Sequence, residues 1–117
     1  MNTALNDQVE VIESAYEFLL AYAAQGRDSD RTPAGHSEVR DTLTGMSESA
    51  SRIVELLADQ SHAFARVVDD DARKSLAAIS LVLAQDAISS ELVDNLNASI
   101  HVRALLTDLF LLSDVTL

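Results

Sequence analysis

The chain has 117 residues, of which 48% are hydrophobic but only three Phe and two Tyr are aromatic, and it contains a single Pro, no Trp and no Cys. That length suits one domain, here residues 1–117, and the aliphatic, Gly-poor and Pro-poor mixture favours helices over sheets. A net charge of −11, from 19 Asp and Glu against 8 Lys and Arg, opposes binding to phosphate backbones or anionic lipid, and the lack of Cys excludes disulfides and cysteine-type zinc sites.

Helix one is predicted from Thr3 or Asn6 to Gln25, because Leu5, Val9, Ile12, Tyr16, Leu19 and Ala23 recur at alternating four- and three-residue steps. Val11, Ala15, Phe18 and Tyr22 make a second stripe, and Glu10, Glu13 and Glu17 take the remaining side. The two stripes together cover about 200° at 100° per residue, twice what an ordinary surface helix needs. Helix one is therefore expected to touch two neighbours or a second subunit.

The segment from Gly26 to His36 holds two of the three Gly, the only Pro and alternating charges, so it reads as the main loop. Asp28 and Asp30, lying between Arg27 and Arg31, are expected to be solvated. Ser37 is a candidate N-cap for helix two, whose seam is Val39, Leu43, Met46, Ala50, Ile53, Leu57 and, one heptad on, Phe64. Ser47, Ser49, Ser51, Arg52, Glu55 and Asp59 form its polar back. Gly45 lies within this helix and suggests a close helix approach or a bend.

The run Asp69-Asp70-Asp71 is expected to cap helix three, from Asp71 to Asp86, because carboxylates favour a helix N-terminus. The middle of that helix, Leu76 to Ala84, is apolar on nearly every side and is predicted to be the most buried element. Ser89, Ser90 and Glu91 announce helix four. It presents Leu92, Leu96 and Ile100 and then Val102, Leu105, Leu109 and Leu112, with a change of stripe near His101 and with Phe110 and Leu111 off the main face. The expected fold is all-α: an antiparallel four-helix bundle that self-associates.

Residues for chemistry are sparse. His62 follows Asp59 and Glu55 but no Glu-x-x-His pair occurs, so a carboxylate-bridged metal bundle is not supported and His62 reads as a rim residue. His101, between Ile100 and Val102, lacks the nearby Lys that a histidine phosphotransfer helix offers, and His36 belongs to the loop. No nucleophile elbow or phosphate-binding loop is present. The Asn97-Ala98-Ser99 sequon reads as accidental, and the Asp69–Asp71 run as a cap before a cation site. No catalytic, cofactor or metal-binding residue is assigned.

What stands out is surface. The sequence reading is a non-enzymatic acidic interaction protein that binds or inhibits another protein, for instance a basic nucleic-acid-processing partner, without touching nucleic acid or membrane itself. Its expected contact residues are Val11, Phe18, Tyr22, Glu10, Glu13 and Glu17, which also argue for a homodimer. The alternatives are a small-ligand or metal sensor using the bundle core and a phosphotransfer-like or other enzymatic domain. The first 25 residues carry four carboxylates and no Lys or Arg, unlike the start of a secretion signal, and no apolar run approaches a bilayer span. A cytoplasmic location is the matching expectation.

Overall fold

The computed structural model describes residues 3–115 and contains five helices with no strand among them. They are α1 (Thr3–Ala23), α2 (Glu38–Leu57), α3 (Ala63–Leu83), α4 (Ser90–Ala98) and α5 (His101–Ser113). One core joins them: α1 packs against α2, α4 and α5, and α3 packs against α2, α5 and α4. The molecule is elongated, 48 × 24 × 21 Å, because three helices of 20 or 21 residues each run about 30 Å. None of the described helices is long and apolar enough to cross a membrane.

Local chemistry sets the helix starts. Ser37 caps α2 by accepting from the Arg40 amide at 3.2 Å, and Ser89 caps α4 by accepting from the Leu92 amide at 3.0 Å. The cap of α3 is unexpected. His62 Nδ1 accepts from the Ala65 amide at 3.1 Å, so the helix starts eight residues before Asp71.

The predicted Asp71 start is thereby corrected. Ala65, Val68, Ala72, Ser75, Ile79 and Val82 are all buried, and their three- and four-residue steps run straight through the acidic stretch. The three aspartates are a helix-surface feature: Asp69 pairs with Arg73 at 2.9 Å and Asp70 with Lys74 at 3.0 Å, both one turn on. Phe64 belongs to α3 and not to the seam of α2, which ends at Leu57. Nor is α3 the most buried helix. Ile79 and Val82 are sealed, but Leu81 is 69% exposed and Ala77, Ser80 and Ala84 also face outwards.

The predicted fourth helix is two helices, so the count of four becomes five. Ile100 takes a left-handed conformation, φ 64°, although it is β-branched, which costs roughly 1–2 kcal/mol. It is 58% exposed, and its carbonyl then accepts from the Ala104 amide at 2.7 Å to restart the helix. The two stripes either side of His101 therefore sit on separate elements.

The wide apolar face of α1 is largely covered from within. Leu5, Val9, Ile12 and Leu19 are buried, and so are Ala15 and Tyr22 of the second stripe; Phe18 is half-buried and Val11 is exposed. Ser49, expected on the wet back of α2, is buried and donates to Gln8 Oε1 at 2.9 Å, tying α2 to α1. At Gly45 the expected close helix approach is absent: an added Cβ would meet nothing within 4 Å.

Candidate functional site

Three places gather polar or exposed groups in a way the core does not require. The first is the connection between α1 and α2. Asp30, expected in solvent, is only 3% exposed. Its carboxylate accepts from the Ser37 hydroxyl, the Arg40 Nε and the Ile88 amide, each at 2.7 Å. Burial pushes this carboxyl up, but those three donors outweigh it and hold the group well below the usual carboxylate range.

Arg40 continues the network, donating to the carbonyls of Leu83 at 3.1 Å, Gln85 at 2.6 Å and Asp86 at 3.1 Å. Arg31 donates to the Asp86 carbonyl at 2.7 Å. Close by, the Tyr22 hydroxyl donates to the Ile88 carbonyl at 2.6 Å, and Ser90 Oγ donates to the Tyr22 carbonyl at 2.7 Å while accepting from the Arg27 amide at 2.8 Å. A cleft of about 520 Å³ opens beside Arg31, His36 and Arg40. The Arg40 guanidinium makes four hydrogen bonds within the chain, so this sector is a clamp that fastens the long loop to the end of α3 and the start of α4.

The second place is a carboxyl pair between α3 and α5. Asp71 lies within hydrogen-bonding reach of Asp108, and Oδ2 of Asp108 is buried without a hydrogen-bond partner among the described residues. Burial, then the hydrogen bond and the charge of Asp71, push the Asp108 carboxyl up to about 7. The histidines do not join it. His36 Nδ1 is 3.6 Å from Asp41 with both side chains exposed, His62 serves as a cap and His101 opens α5. Asp59, expected on the polar back of α2, lies beyond the end of that helix at Leu57. Among the described residues no group of three or more His, Cys, Asp or Glu is placed to hold a metal ion.

The third place is a groove of about 470 Å³ between α1 and α2. Asp7, Glu10, Val11, Ser14, Ala15 and Phe18 line it from α1, and Asp41, Thr42, Gly45 and Met46 from α2. Val11, Ala15, Phe18 and Met46 supply an apolar floor, and every charged side chain on its wall is a carboxylate. α1 carries no Lys or Arg along its whole length, and the nearest arginine on α2, Arg40, is committed to Asp30. Asp7 and Glu10 have no ion-pair partner among the described residues.

Of the six contact residues expected from sequence, the groove brings together Val11, Phe18 and Glu10. Tyr22 is inside the core, stacked on Phe18 at a centroid distance of 6.2 Å, and Glu13 and Glu17 do not line the groove. Asp7, Asp41, Gly45 and Met46 were missed. The only sequence signal for them was the mid-helix Gly45, read there as a close helix approach or a bend. Comparison with family models, curated proteins and solved structures finds no match.

Proposed function

We propose that this chain is a non-enzymatic interaction protein that binds, and by occupation inhibits, a basic protein partner through the acidic groove between α1 and α2. The supporting observation is the groove itself: an apolar floor bordered by Asp7, Glu10 and Asp41 with no cation on its wall. A partner bearing Lys or Arg gains charge complementarity there, whereas a phosphate backbone or anionic membrane is repelled. Proteins that process nucleic acid carry such basic surfaces, and a cytoplasmic setting belongs to the same reading.

Homodimerisation is the second reading, favoured by Val11 at 42% exposed beside the half-buried Phe18. It is the weaker of the two, because α2, α4 and α5 already cover most of the second stripe, and a second copy would bring carboxylates against carboxylates.

Fluorescence anisotropy with a labelled lysine-rich peptide tests the proposal. The parent should bind, and affinity should fall steeply as salt is raised. Asp7→Lys with Glu10→Lys should abolish binding, while Asp59→Lys with Asp94→Lys, at exposed positions away from the groove with the same change in net charge, should largely retain it. Equal losses in the two double variants would reduce the effect to overall charge and remove the site.

A further inference from the structure

Gly45 is the least explained residue of the groove. It lies well inside α2, where glycine is a poor helix former. It is not among the residues at positive φ, and an added Cβ would meet no atom within 4 Å. Neither backbone conformation nor internal packing therefore calls for glycine, and alanine would suit the free protein better. What glycine does provide is a bare strip of α2 backbone lining the groove that Val11 and Phe18 line from α1. Small residues at such positions let a second backbone come close.

We propose that Gly45 keeps the groove open for one amphipathic helix of the basic partner, seated with apolar side chains over Gly45, Val11 and Phe18 and with Lys or Arg side chains against Asp7, Glu10 and Asp41. This rests on the function proposed above and specifies the shape of the partner. The α1 wall from Asp7 to Phe18 spans about 16 Å, three helical turns, and apolar residues at three- and four-residue spacing repeat on that length. An extended peptide has no such fit, since paired helices offer no free backbone edge to bond with it. Charge selects against a second copy of this chain, which would set its own three carboxylates against these.

The test uses an 18-residue Leu/Lys peptide with helical periodicity, and a scrambled peptide of the same composition, each titrated into the full chain and into Gly45→Ala and Gly45→Gln. Both variants should melt no lower than the parent, with Gly45→Ala about 4 °C higher. Gly45→Gln should weaken the periodic peptide about tenfold or more and leave the scrambled one unchanged. If Gly45→Gln binds the periodic peptide as the parent does, the helix-in-groove proposal is overturned while the acidic-surface function stands. If neither peptide binds the parent at all, both fall. A parent that light scattering shows to be a dimer, dispersed by Gly45→Gln, would assign the groove to a second copy and likewise overturn the proposal.

Discussion

Asp30→Ala is expected to lower the unfolding free energy by about 3 kcal/mol, because it strands a buried amide and takes the carboxylate away from a part-buried Arg40. Alanine would remove the acceptor of three donors at once, leaving the Ile88 amide, the Ser37 hydroxyl and the Arg40 Nε unsatisfied. The amide matters most, since it is buried and has no freedom to turn towards water. The loop from α1 to α2 would also lose one of its anchors on the segment joining α3 to α4, while Arg31 and Arg27 keep theirs. Urea unfolding at neutral pH measures this directly, and a loss below about 1 kcal/mol would show the clamp to be incidental. The pH sign follows from the depressed acidity. Asp30 contributes stability at all pH values above its unfolded value of 3.8, and that contribution is lost as pH falls towards its lower folded value.

Asp108 works in the opposite direction. Its folded value of about 7 is raised above the unfolded 3.8, so the folded state holds a proton that the unfolded chain releases between those two values. The contribution of this group is most favourable below about pH 4, declines as pH rises towards 7 and is flat beyond. Asp71 is the ionisable neighbour whose charge acts on it, and Lys74 on the same helix feels the Asp71 charge in turn. The full linkage value is softened because Asp108 is only partly buried. Asp108→Asn should therefore stabilise the protein by on the order of 2 kcal/mol at pH 8 and by little at pH 4. Thermal melts of parent and variant across that range would show two curves converging in acid. Parallel curves would mean that Asp108 titrates normally and that the pair is open to solvent.

The helical class was legible because alternating three- and four-residue apolar steps survive in every long helix. Ser37 was legible as a cap and Ser89 to Glu91 as a helix start, since a serine ahead of an apolar stripe has few other roles. What failed was reading polar residues by composition alone. The Asp69–Asp71 run looked like a cap, yet the stripe from Ala65 through Val68 and Ala72 passes beneath it, and His62, which can cap through Nδ1, took that place. Asp30 looked solvated because its partners Arg40 and Ile88 lie 10 and 58 residues away. Such a distant pairing leaves no local signature. Ile100 offered a change of stripe but not the left-handed turn behind it, because β-branched residues rarely adopt that backbone.

At the candidate site, sequence periodicity found the exposed half of α1 but not the wall opposite. Val11 and Phe18 stood out as surplus apolar residues, and Glu10 as their acidic neighbour. Asp41 and Met46 belong to a different helix, and only packing brings them to face α1. Tyr22 illustrates the converse. Its place on the stripe suggested surface, while its hydroxyl finds the Ile88 carbonyl and draws the ring into the core.

Docking of a basic partner in the groove between α1 and α2 is what we propose for this protein. Amide chemical-shift mapping of the isotope-labelled chain, titrated with the periodic Leu/Lys peptide, tests it residue by residue. Shifts are expected to concentrate at Asp7 to Phe18 and Asp41 to Met46, with α3 and α5 unchanged. Shifts spread evenly over all exposed carboxylates, or centred on α3 and α5, would contradict it.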